Sequence, residues 1–316
     1  MSVAQVAKAL GVAWNTANDA VLAEGRRVLI DDDTRFDGVR VLGVDEHVWR
    51  HSRPGDVGDK YVTVIIDLTP VHDHAGPARL LDMVPGRSTK VFTTWLAARP
   101  HAWRKNVKVV AMDGFTGYKT AVTHELPTAV TVLDPFHVVK LAADALDETR
   151  RRVQQATRGH RGRAGDPLYR ARRTLLTGID LLTDKQKRLL AGTFTPVEHT
   201  EVEVTGAVYQ ALIAAYRTRD RAKAKHAMQA LIASISSGVP AALIEVRKLG
   251  RTLHRRADDV LAYFDRPGTS NGPTEAINGR LEHLRGSALG FRNLTHYIAR
   301  SLLEAGGFRP QLHPQL

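Results

Sequence analysis

Apolar positions along this chain change their spacing several times, and each change marks a new kind of element. Val3, Val6, Ala7 and Leu10 recur at helical spacing, Gly11 interrupts them, and Ala13–Leu22 resume the pattern. Two short helices with a tight turn are predicted over the first 28 residues. Ala7, four positions before Gly11, gives the small-residue spacing of a helix-turn-helix, in which two helices cross closely. That geometry would turn Trp14, Asn15, Thr16 and Asn18 outward, where they meet a groove or phosphates; a plain hairpin packed on the core is the alternative. After the polar link Asp31-Asp32-Asp33 the period shortens. Val39–Trp49 and Tyr61–Thr69 are rich in β-branched residues, and turn formers fill the loop between them.

Arg79–Val84 reads as a third strand, closed by Pro85-Gly86. Ser88 then caps an amphipathic helix running to about Ala98. Val107–Met112 and Ala129–Leu133 are short, largely apolar runs without regular alternation, as buried parallel strands are. A helix over Tyr118–His124 separates them, and Pro135 opens a long helix reaching about Ala156. Residues 158–265 read as mostly helical and polar, and Pro273–Leu284 and Leu294–Ala305 as two final helices. Three hairpin-linked strands followed by two crossover strands is the order of an RNase H-like sheet. The expected fold is therefore α/β: a mixed five-stranded sheet flanked by helices, an N-terminal helix-turn-helix, and a large helical insertion. The expected divisions are 1–30, 36–146, 147–266 for the insertion, and 267–308.

Charge sharpens this picture. The chain carries 45 Lys+Arg against 33 Asp+Glu, a net +12. Residues 147–266 hold 23 of the basic and 13 of the acidic groups, so +10 of the +12 sits in the insertion. A GC-rich genome explains a preference for Arg over Lys. It does not explain a segmental surplus, which implies a polyanionic partner such as nucleic acid. Arg150–Arg173 alone holds nine Arg and one acid, Asp166. With Gly159, Gly162 and Gly165 it is expected to be a flexible phosphate-contacting loop, with Arg158, Arg161 and Arg163 as its contacts. A second basic stripe is Arg247, Lys248, Arg251, Arg255 and Arg256. No apolar run is long enough to cross a membrane, no signal peptide is evident, and the chain has no Cys. Disulfides and Cys-ligated zinc are excluded, and a cytoplasmic, DNA-associated protein is expected.

Among the acids, Asp45 lies inside the first strand, with apolar residues to either side. Asp113 ends the fourth, which neighbours the first in this sheet order. Glu275 stands in the first turn of a late helix. An acid ending a strand is often a cap, and a Glu in a first turn favours the helix dipole, so neither is informative alone. An unpaired carboxylate within an apolar strand is costly and needs a reason. Together the three would hold two Mg²⁺ (or Mn²⁺) ions for phosphoryl transfer. Glu282, seven residues beyond Glu275, is the fallback third ligand.

The segments LGVDEH, AMDGFTGYKTAV, VLDPFHVVKLA and SNGPTEAINGRLEHLRG resemble the DDE transposases of the ISL-three insertion-sequence family, from about Val41 to Phe308. The resemblance implies metal-dependent cleavage and strand transfer of double-stranded DNA, at element ends and target, with Asp45, Asp113 and Glu275 as the triad. It also implies a homo-oligomer on DNA. Asp134 and His137 match an Asp-x-x-His element of related transposases, in which His137 would contact a phosphate or order the site; a helix cap with a packing His is the equal alternative. Family members begin with a Cys-rich zinc-binding segment, and this chain starts within what resembles the following part. A truncated copy or a misplaced start is therefore expected. The competing readings are an RNase H-like nuclease, which cuts without joining, and an inactive remnant that only binds DNA.

Overall fold

In a computed structural model of the chain, residues 2–51, 60–266 and 268–308 are described, and the β-branched runs become five strands. These are β1 (Val41–Val48), β2 (Tyr61–Asp67), β3 (Arg79–Pro85), β4 (Val109–Met112) and β5 (Val130–Leu133). Two helices precede them, α1 (Val3–Leu10) and α2 (Trp14–Gly25), the second continued by a wider π turn over Arg26–Ile30. Between strands lie α3 (Thr69–His72), α4 (Thr89–Ala97), α5 (His101–Asn106) and α6 (Thr116–Glu125). After β5 come α7 (Pro135–Arg158), α8 (Pro167–Leu175), α9 (Asp184–Thr193), α10 (Thr200–Arg217), α11 (Arg221–Ser236), α12 (Ile244–Arg255) and α13 (Ala257–Asp265). The last elements are α14 (Gly272–Ser287) and α15 (Leu294–Ala305). Most of the predicted turn between the first two strands lies outside the described residues.

Local chemistry explains the element ends. Ser2 and Gln5 form a capping box on α1, and Gly11 closes that helix in the left-handed region at φ 64°. The Ser88 hydroxyl accepts from Val91 N, as expected for the cap of α4. Asp134 caps α7, Pro135 fills its first turn, and Gly159 ends it at φ 71°. The short α5 was not predicted; its six residues include only Ala102 and Trp103 as apolar positions, too few to set a period.

The sheet runs β3-β2-β1-β4-β5. β1 pairs antiparallel with β2 and parallel with β4, while β2 and β3 are antiparallel. This is the RNase H-like order. Residues two apart on a strand share a face, and the two faces of β1 have separate work. Leu42 and Val44 join Val110 and Met112 in a core with Phe92, Trp95 and Leu96 of α4 and Tyr118, Ala121 and Val122 of α6. Gly43, Asp45 and His47 look the other way, onto α14 and α15. Phe36, just before β1, packs with Trp95 and Trp103 as tilted and edge-on rings.

Two compact units emerge, residues 1–131 with 268–316, and residues 132–267. The boundary expected at 146/147 falls inside α7. Charge changes there, but the apolar stripe does not: Val138, Ala142, Ala145, Leu146 and Val153 continue as one buried face. That stripe packs with Val202, Tyr209 and Leu212 of α10 and Val246, Leu249 and Leu253 of α12, the core of the second unit. At Gly250 an added Cβ would lie 1.8 Å from the Ile235 carbonyl oxygen, so α12 and α11 approach at van der Waals distance. In the first unit, α2 and its π turn rest on α15 through Leu22, Leu29, Ala299 and Leu303.

Candidate functional site

Strand register brings the first two acids side by side. Val44 of β1 is opposite Met112 of β4, so Asp45 and Asp113 are the next positions along two parallel neighbours. Asp45 is buried, and its carboxylate is held from two directions. Glu46 N donates to Oδ1 at 2.8 Å, and Asn278 Nδ2 donates to Oδ2 at 3.0 Å. Asp113 is half-buried at the strand end, and its Oδ1 accepts from Phe115 N at 2.8 Å in a turn leading into α6. Ionisation of the buried Tyr118 phenol is opposed first by burial, then by the carboxylates of Asp113, Asp45 and Glu46. Both candidate acids therefore act on one hydroxyl.

Glu275 arrives on α14, whose first turn is set against β1. A Cβ on Gly43 would lie 2.4 Å from Thr274 Oγ1 and 3.0 Å from Asn271 Oδ1, so only glycine lets that turn approach. Asn271 Nδ2 donates to Val44 O at 3.4 Å, and Asn278, one turn beyond Glu275, reaches Asp45. Glu275 is half-buried between these two anchors. Glu282 is engaged elsewhere: its Oε2 accepts from Arg285 Nη2 at 2.5 Å, while Arg285 Nη1 donates to Val48 O at 2.8 Å. That ion pair fixes the far end of α14, so Glu282 is a poor substitute for Glu275.

Next on the same face of β1, buried His47 shares a 2.6 Å hydrogen bond between Nε2 and the Tyr297 hydroxyl, with the rings stacked. Burial, more than Arg285, holds the imidazole down to about 4, against the opposing pull of Glu282. At neutral pH it is an uncharged clamp between β1 and α15. Sequence reasoning missed this pair, and it left Asn278 only the positioning of the Glu275 helix, with no chemical role. The period-2 placement of His47 beside Asp45 was the available signal for the first; nothing local pointed to the Asn278–Asp45 contact.

Of the residues expected to face DNA, Trp14, Asn15 and Thr16 are exposed at the start of α2. Asn18 is not. It shares the buried stripe of α2 with Leu22 and Gly25, four and seven positions on, and is 5% exposed. The expectation that it points outward is corrected by that spacing. Arg158, Arg161 and Arg163 are exposed. The loop carrying them is already folded: Asp166 Oδ2 accepts from Arg163 N at 2.7 Å and from Gln154 Nε2 at 3.2 Å. In the second stripe, Arg247, Lys248, Arg251 and Arg255 face outward, but Arg256 is buried and its Nε donates to Asp259 Oδ2. Arg256 lies beyond the last residue of α12, where the chain turns. Asp134 accepts from Phe136 N at 3.0 Å and stands 3.4 Å from His137 Nδ1, so it serves at least as a cap.

Oxygen donors from Asp45, Asp113 and Glu275 suit a hard divalent cation. Residues 42–301 match the family model DDE_Tnp_ISL3, described as a transposase. The transposase for insertion sequence element IS1557 from two strains of Mycobacterium tuberculosis is 28% identical, the alignment covering 98% of this chain and 71% of that protein. Among solved structures, the Drosophila P element transposase strand transfer complex aligns over 90% of this chain and 79% of that one, at 12% identity and a TM-score of 0.42.

Proposed function

The chain belongs to the ISL-three family of DDE transposases, and from that premise we propose that Asp45, Asp113 and Glu275 form its catalytic site. The protein is a DNA transposase, and DNA cleavage and transfer are the general property of its class. In this reading the substrate is double-stranded DNA at the ends of an insertion sequence and at a target. The enzyme works in the cytoplasm as a homo-oligomer on DNA. A hydroxyl oxygen, from water for cutting and from a DNA 3′ end for joining, bonds to phosphorus as the old P–O bond breaks. No covalent enzyme intermediate forms.

The observation that carries this reading is the convergence on β1. Asp45 within β1 and Asp113 just past the end of β4 are neighbouring positions on parallel strands, and Asn278 ties the Glu275 helix to Asp45. The three carboxylates would hold divalent metal, Mg²⁺ or Mn²⁺, as two ions. When bound, such ions lower the pKa of the attacking hydroxyl and offset charge on the leaving oxygen. The chain's own part is positioning. The Glu46 amide and Asn278 fix the Asp45 carboxylate, and the Gly43 contact sets the depth of α14. At the N-terminus, Trp14, Asn15 and Thr16 would touch the duplex, and Arg158, Arg161 and Arg163 would contact phosphates.

Asp113→Asn is the direct test. Asn keeps the size and one acceptor oxygen but removes the charge that attracts a cation. Cleavage of end-sequence DNA with Mg²⁺ should fall by at least about a thousandfold, the scale of losing one strong electrostatic contact in such a site. Duplex affinity, measured on the same preparation, should persist or rise slightly. Surviving cleavage would reduce Asp113 to a turn residue and overturn the proposed triad.

A further inference from the structure

We propose that a cleft between the C-terminal half of α7 and α8 is a discrete site for the backbone phosphates of duplex DNA. The proposal rests on the transposase reading and gives the insertion a defined contact. The cleft, of about 440 Å³, is lined by five arginines and one acid. That acid, Asp147, is already committed. Its Oδ1 accepts from Arg150 Nη2 at 2.6 Å, and its Oδ2 pairs with Arg151 Nη2 at 2.6 Å. Arg150 is buried and also bonded to Gln154, so it forms a fixed floor. Among the described residues, no carboxylate is paired with the side chains of Arg161, Arg172 or Arg173. Five cations against one anion leave a local +4. Like charges held this close repel unless an anion lies among them.

The lining also says which anion. The Arg172 guanidinium lies 4.0 Å over the Tyr169 ring, and its Nη1 donates to Tyr169 O at 2.7 Å. That covers one face of the only ring in the cleft and fixes the guanidinium in place before any ligand arrives. With both oxygens of Asp147 paired, the lining is dominated by a concave set of guanidinium donors, which match phosphate oxygens. Arg161 reaches the cleft on the braced loop. Gly162, at φ +124°, sits so near Tyr169 that a Cβ there would lie 2.6 Å from its ring.

The test compares two full-length variants with equal loss of charge, R161Q/R173Q in the cleft and R188Q/R219Q, exposed on the same unit but outside the cleft lining. Binding to random-sequence duplex is measured from low to moderate salt, with thermal melting to verify folding. The cleft pair should lower the salt slope by about two and weaken binding on the order of tenfold or more, and the outer pair should lower the slope by less than about one. Equal slopes for both pairs would mean diffuse charge and would overturn the site, as would an unchanged cleft pair. Should the glutamine pair misfold, R161K/R173K keeps the charge and loses the fork. It should bind several-fold more weakly than R188K/R219K, and equality would again overturn the site. Tripolyphosphate that displaced DNA from wild type but not from the cleft variant, at concentrations too low to change ionic strength, would reassign the cleft to a free polyphosphate. End-sequence cleavage by wild type is scored separately. A chain that binds through the cleft but never cleaves defeats the transposase reading alone.

Discussion

Asn278 stands 233 positions from Asp45 in the chain, yet its amide occupies one of that carboxylate's two oxygens. The Glu46 amide holds Oδ1 and Asn278 holds Oδ2, and the two bonds together fix one orientation of the carboxylate. Asn278 is thus a positioning residue rather than a ligand. Replacing it with Ala should raise the Mg²⁺ or Mn²⁺ concentration needed for half-maximal cleavage by about 10–100-fold, the usual effect of removing a partner that orients a ligand. DNA affinity should not change. A variant that melts earlier yet needs no more metal would show that Asn278 only packs α14. Tyr118 has a complementary place: its phenol stays protonated beside two candidate ligands because burial, above all, disfavours its charge.

Elements are placed by a few polar or close contacts on top of their apolar faces. In the insertion, Glu245 of α12 is the knot. Arg152 of α7 donates to both of its oxygens at 2.8 Å, Thr149 adds a 3.2 Å bond, and Arg152 also pairs with Glu201 of α10. Burial alone would raise the Glu245 carboxyl, but the Arg152 and Thr149 hydrogen bonds with the Arg152 charge together hold it below its usual value. A carboxyl depressed in the folded state stabilises fully above its unfolded pKa and loses that contribution as pH falls through the folded value. Glu245→Gln should therefore cost roughly 1–3 kcal/mol at pH 7, the range for hydrogen bonds to a charged group. The gap from wild type should close as pH drops below about 4.5, followed by thermal melting across that range. A gap that stayed constant down to acid pH would mean that shape, not charge, holds these helices.

Across the whole molecule, the charge surplus and the residues proposed to meet bases are carried by different parts of the chain. The insertion carries +10 of the net +12, while the exposed Trp14, Asn15 and Thr16 open α2 near the N-terminus. Phosphate contacts set the salt slope, whereas contacts to base edges set the preference for one sequence. Trp14→Ala is therefore expected to reduce the ratio of end-sequence to random-duplex affinity by about 5–100-fold, the worth of one good base contact. The slope of log affinity against log salt should stay as in wild type. A changed slope with an unchanged ratio would place Trp14 among the backbone contacts and move sequence reading elsewhere.

The sequence by itself determined the five strands, their order and the main helices, because period and capping are local properties written in neighbouring residues. It also singled out Asp45 and Asp113, since an acid inside or ending an apolar strand conflicts with its surroundings. Other features depended on partners far along the chain. Asn18 lies on the buried stripe of α2 whose neighbour Leu22 packs with Ala299 and Leu303 of α15, while Arg256 left its stripe for a local reason, the turn after α12 that brings it to Asp259 three residues on. The start of the second unit at residue 132 followed the apolar stripe of α7 rather than the change in charge at 147. The glycine at 43 acquired its meaning only from Thr274 and Asn271, and the nine arginines of one segment sorted into floor, cleft and open surface only once Asp147 and Tyr169 were placed. Residue spacing fixes which face a side chain shares with its neighbours. What covers that face, and which charges it meets there, is decided by packing between segments hundreds of residues apart.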